Sequence, residues 1–143
     1  SSKLDLLRQI AAGIAAQFGP SCEVVVHDLS RHPDHSIVAI ENGHVTGRKL
    51  GDGPSHVVLE ALHAGPHKLE DRLSYLTKTA AGKILKSSTV FIRDDGGRVI
   101  GIFAIHFDTA TRHVIKTRDQ VAECGFSCSG RAYQCQILSC IHM

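Results

Sequence analysis

The stretch KSSTVFIRDDGGRVIGIFAIHFD, residues 86–108, constrains the fold more than any other part of the chain. Asp94-Asp95-Gly96-Gly97 at its centre is a strong hairpin turn. On one side of the turn stand β-branched and aromatic residues. On the other, Val99, Gly101, Phe103, Ile105 and Phe107 alternate with Ile100, Ile102, Ala104 and His106. Successive side chains of a strand point to opposite faces, and here both sets are largely apolar. The second strand of the hairpin therefore reads as a central strand of an antiparallel sheet.

The remaining elements fit around it. Leu4, Leu7, Ala11, Ile14 and Phe18 recur at helical spacing, with Leu6 and Ile10 widening the stripe. Ser2 suits the start of this helix and Gly19-Pro20 its end. The stripe has two destinations: a sheet of its own chain, or a second copy of itself, for which the same spacing makes a coiled-coil seam. CEVVVHDL (22–29) and SIVAIEN (36–42) read as strands joined by RHPDH (31–35), a second hairpin. PSHVVLEALHAG (54–65) fits a short helix, with Pro54 in its first turn and Gly65-Pro66 stopping it. Residues 74–108 read as three strands, with Gly82 at the first turn. TRHVIKTRDQVAEC (111–124) reads as a helix leaving the domain. The predicted class is α+β: an antiparallel sheet with its helices gathered over one face.

Composition adds exclusions. The 143 residues are enough for one domain. They contain no run of about 18 apolar residues, so no membrane-spanning helix is expected. The opening SSKLDLLRQ lacks the basic-then-apolar layout of a secretory leader, which makes the cytoplasm the expected location. Residues 112–143 hold four basic and two acidic side chains, so the whole net charge of +2 sits there and the rest of the chain balances. A neutral body is a poor electrostatic footprint for nucleic acid.

Three segments together, GPSCEVVVHDLS, HSIVAIENGHVTGRKLGD and KSSTVFIRDDGGRVIGIFAIHFD, resemble the YheO-like PAS domain of bacterial helix-turn-helix transcriptional regulators. The resemblance covers roughly residues 4–109. It implies a PAS-like five-stranded antiparallel sheet with helices over one face, enclosing a cavity. It implies ligand sensing and dimerisation rather than catalysis, and no cofactor. The alternative is a purely structural dimerisation module without a ligand. The expected organisation is a sensor domain at 1–110, a linker helix at 111–124 and a Cys-rich tail at 125–143. The tail contains no second pair of amphipathic helices, so DNA contact is left to a helix-turn-helix absent from this chain.

The glycine-rich loop after the second strand, NGHVTGRKLGDG (42–53), is the candidate ligand site. Glycine accepts positive φ and lets other groups approach the backbone closely. Arg48, flanked by Gly47, Gly51 and Gly53, offers a planar fork of donors suited to a carboxylate. Asn42 adds an amide that donates and accepts. The competing reading pairs Arg48 with Glu41 or Asp52. Further candidates are hydroxyls on apolar strands, Ser88 and Thr89, with Tyr75 on the neighbouring strand, and His27 near the end of the first strand. The expected ligand is a small polar metabolite bearing a carboxylate. The expected homodimer uses the stripe Leu4, Leu7, Ala11, Ile14 and Phe18.

No metal site is predicted. The ten histidines are scattered, and Gly65-Pro66 separates His63 from His67. Cys124, Cys128, Cys135 and Cys140 run C-x3-C-x6-C-x4-C, in which the first pair is tolerable for a zinc site and the second is loose. Cys22, in an apolar strand, reads as a small buried hydrophobe. No nucleophile accompanies His27-Asp28, so no enzyme is expected.

Overall fold

The computed structural model describes residues 2–65 and 69–110. The expected linker helix, the four tail cysteines and His67 lie outside these residues. Helix α1 (Ser2–Phe18) leads into β1 (Cys22–Asp28) and β2 (Ile37–Glu41). Helix α2 (His56–His63) follows, and then β3 (Arg72–Lys78), β4 (Ile84–Arg93) and β5 (Val99–Asp108). The strands form one antiparallel sheet in the order β2-β1-β5-β4-β3. The final strand, apolar on both sides, takes the middle place. Residues 1–110 make one compact unit.

Local chemistry sets the boundaries. Gly19 ends α1 with φ +84° and donates its N–H to the Ala15 carbonyl at 2.9 Å, closing a helix terminus that would otherwise leave carbonyls unpaired. The β4–β5 turn is held by Asp94, whose Oδ1 accepts from the N–H groups of Gly96 and Arg98. Lys3 of α1 reaches this turn, donating to the Arg93 carbonyl and pairing with Asp95 at 2.9 Å.

The two faces of the sheet carry separate cores. On one, Cys22, Val24 and Val26 of β1 and Phe103 of β5 are buried against Leu4, Ala11 and Ala15 of α1, with Leu7 and Ile14 at the margin. On the other, Phe91 of β4 and Ile102 and Ala104 of β5 pack with Val58 of α2 and Leu69. The helices are thus divided between the faces rather than gathered over one. The reason lies in β1 and β5, which bury side chains of both parities. Each face must be covered, and one helix cannot do both.

This placement also corrects the expected dimer surface. Most of the stripe through Leu4, Leu7, Ala11 and Ile14 is consumed by the chain's own sheet. The large apolar side chains that α1 leaves exposed are Leu6, Ile10 and Phe18. Among the described residues, no helix is long and apolar enough to cross a membrane.

Candidate functional site

The face beneath α2 carries a row of polar side chains that the register draws straight across four strands. Glu23 of β1 stands opposite His106 of β5, His106 opposite Ser87 of β4, and Ser87 opposite Tyr75 of β3. Glu23, Ser87 and His106 are all buried. Buried polar groups must find partners, and most of these do. Ser87 Oγ lies 2.7 Å from His106 Nδ1. The Tyr75 hydroxyl lies 2.8 Å from Oγ1 of Thr89, two residues along the same face of β4. The Arg72 guanidinium sits 4.4 Å from the centre of the Tyr75 ring, a cation–π contact that fixes the ring further.

The glycine loop closes over the β1 end of this row. Thr46 donates both its N–H (3.0 Å) and its hydroxyl (2.7 Å) to Glu23 Oε2. Among the described residues, Glu23 Oε1 is buried without a hydrogen-bond partner. Burial pushes the Glu23 carboxyl upward, partly offset by the bonds from Thr46 and by the Arg48 charge. A Cβ at Gly43 would collide with the Arg48 backbone carbonyl, and Gly47 turns the chain with φ +80°. These two glycines fold the loop tightly enough to bring Thr46 and Arg48 over the sheet.

Thr46, Arg48, Tyr75, Lys78, Leu85 and His106 contribute to the wall of a cavity of about 450 Å³, with Ser55 and His56 at the start of α2 on its rim. The Arg48 side chain makes no hydrogen bond or ion pair with any described residue. Of its two expected acidic partners, Asp52 instead accepts the Lys49 N–H at 3.0 Å. Burial, and secondarily the Arg48 charge, lowers His106 to about 4. His27 is likewise lowered to about 4 by burial, then by Arg48 and His106. Both rings are neutral at physiological pH. A second cavity of about 400 Å³, between Leu4, Asp28, Leu29 and Arg98, is less promising. Its carboxylate, Asp28, is engaged by the Ser30 N–H and hydroxyl.

The candidates read from the sequence are distributed as follows. Arg48 and Tyr75 line the cavity, with Thr89 directly behind Tyr75. His27 shares this face, but its Nδ1 is tied to Ser36 at 2.9 Å, in a buried pair away from the lining. Two candidates are corrected. Ser88 points to the opposite face with Val90 and Ile92, and its Oγ accepts the Ser74 N–H at 2.9 Å. Asn42 takes left-handed backbone, φ 54°, and donates its amide to the carbonyls of Gly19 and Cys22 at 3.1 and 2.9 Å. It fastens the loop to the α1–β1 junction. Sequence reasoning missed Glu23, Thr46 and His106 as site residues. Period-2 counting gives the face of each strand residue, but only the strand register puts Glu23 beside His106.

A five-stranded antiparallel sheet with a polar cavity on one face describes a PAS domain, a sensory and signalling fold. The family model of the YheO-like PAS domain matches residues 1–122, and the chain belongs to that family. It is 34% identical over 109 residues to the uncharacterized protein YheO of Escherichia coli K12, covering 73% of this chain and 45% of that one. An uncharacterized protein of Haemophilus influenzae is 30% identical over 101 residues, covering 71% and 45%. The chain thus spans about half the length of these relatives. Among solved structures, the PAS domain of the fruit-fly ELK potassium channel aligns with a TM-score of 0.44 at 18% identity, covering 70% of this chain and 97% of that one. The blue-light photoreceptor Aureochrome1 LOV aligns at 0.45 and 19%, covering 71% and 81%.

Proposed function

We propose that this domain senses a small polar metabolite bearing a carboxylate, as the input module of a bacterial DNA-binding transcriptional regulator. One observation carries the reading: an arginine fork without a partner among the described residues, held over a polar cavity by a loop built to place it. Unpaired donors of this kind are what a carboxylate engages bidentately. The surrounding hydroxyls provide orientation, and the Ser87–His106 pair is buried in the cavity floor, where its role in this reading is to fix the site rather than to react.

The signal is a shift of population between two states of the domain that the ligand binds unequally. DNA is contacted by a helix-turn-helix elsewhere in the regulator, since the balanced charge of this domain gives nucleic acid little to hold. The regulator acts in the cytoplasm as a homodimer. The exposed Leu6, Ile10 and Phe18 of α1 supply the self-complementary apolar surface. Without a ligand, the same surface would make the domain a dimerisation module.

The test is a metabolite screen on the full-length regulator by thermal shift, followed by calorimetry on any stabilising compound. A carboxylate-bearing hit is expected. Charge-assisted hydrogen bonds contribute about 1.5–3 kcal/mol each, so Arg48→Ala should weaken binding roughly ten- to a hundredfold. Unchanged affinity in that variant would remove the arginine from the site.

A further inference from the structure

Two buried hydroxyls decide where the protons of the cavity floor lie. Ser87 is 1% exposed, and among the described residues its hydroxyl has one partner, His106 Nδ1. If Nδ1 carried the ring proton, the Ser87 hydrogen would be buried without an acceptor, which folded proteins rarely tolerate. Ser87 therefore donates, Nδ1 accepts, and the proton of the neutral ring sits on Nε2. The same reasoning applies one step along β4. Thr89 is 3% exposed and its hydroxyl has one partner, the Tyr75 oxygen. Thr89 donates, and the Tyr75 hydrogen is left for the cavity.

Among the described residues, those lining that cavity include Arg48 and Lys78 and no aspartate or glutamate. Glu23, beside His106 in the row, is not in that lining: its Oε2 takes two donors from Thr46 and its Oε1 is buried. The geometry points to an oxyanion site: Ser87 and Thr89 hold His106 and Tyr75 as donors beside the Arg48 fork, so the cavity takes a carboxylate or phosphate group and rejects an ammonium. This rests on the sensory reading above and narrows it. The bound end of the ligand presents acceptors only, and the preferred ligand carries more than one negative charge, because Arg48 and Lys78 both face it. Ser87 and Thr89 are positioning residues, acting through His106 and Tyr75.

The test starts without any ligand. Two-bond nitrogen–proton spectra of the labelled 143-residue chain report the His106 tautomer, and Nε2–H is expected. Ser87→Ala removes the donor to Nδ1 and should shift the ring toward a mixture. The same sample is then titrated with succinate, with inorganic phosphate, and with glycerol and methylammonium as neutral and cationic controls. Succinate or phosphate should bind at least tenfold more tightly than either control, and Arg48→Ala should abolish that preference. Whichever oxyanion binds better identifies the source of the group. An Nδ1–H tautomer in the unmodified chain overturns the inference and leaves the sensory reading intact. So does binding of methylammonium as tight as that of the oxyanions, or no response to succinate and phosphate. Oxyanion binding that never alters DNA affinity of the full regulator counts instead against the sensory reading.

Discussion

The two faces of this sheet are made by the same strands at alternate residues, yet they are different materials. The face under α1 buries Cys22, Val24, Val26 and Phe103 against alanines and leucines. The face under α2 buries Glu23, His27, Ser87, Thr89 and His106 in addition to its apolar residues. Polar groups taken out of water contribute to stability only when they are paired, and an unpaired one is a direct cost. A fold that needed only to be stable could fill both faces alike. The comparison therefore separates what holds the domain together from what it is for.

That separation can be broken by mutation. The largest effect belongs to the α1 face. Phe103→Ala removes an aromatic ring from a core that α1 cannot collapse to refill, and should cost about 3–5 kcal/mol in urea unfolding. The cavity, on the opposite face, should keep its ligand preference in whatever fraction remains folded. A loss below about 1 kcal/mol would mean that α1 is loosely docked and the two faces are not distinct in kind.

Next in size, taken per histidine, is acid sensitivity, which belongs to the polar face. His27 and His106 titrate near 4 in the fold against an ordinary 6.5. Between these values the unfolded chain binds more protons, so stability is complete above about pH 6.5 and falls as the pH drops toward 4. The loss is about 3 kcal/mol for each histidine. Glu23, raised by burial, contributes in the opposite sense, losing stability as the pH rises through its folded value. With two histidines against one glutamate, the net slope should favour higher pH across this window. Replacing His106 by Gln should flatten it, and a slope unchanged by that substitution would place the acid response elsewhere.

Much of this fold was legible in the sequence because local chemistry writes it. The Asp94–Gly97 turn, the alternation along β5 and the stop at Gly19-Pro20 each act within a few residues. Recognising β5 as central leaves β1 or β2 as its second neighbour, and the structure takes β1. The division of helices between faces was not legible, since an apolar stripe fits a sheet from either side. Nor does alternation say which of two parities meets the cavity. Ser87 and Thr89 separate from Ser88 only when α1 has taken the other face. Asn42 shows a similar limit. Its turn propensity is local, but its two acceptors, the Gly19 and Cys22 carbonyls, come from a segment some twenty residues earlier. Arg48 was visible because three glycines mark its loop.

The smallest predicted effect sharpens the contrast of parity. Ser88→Ala deletes one partly exposed acceptor for the Ser74 N–H, and should cost roughly 0.5–1.5 kcal/mol with no change in ligand affinity. A binding defect in this variant would mean that the cavity draws on both faces of β4.

The most direct test of the account is native mass spectrometry on the gently purified full-length protein. The account predicts a bound anionic small molecule in the wild-type protein, retained in Ser88→Ala and lost in Arg48→Ala, with all three proteins folded. A wild-type protein that is empty in every preparation, or a ligand that stays bound when Arg48 is removed, would contradict it.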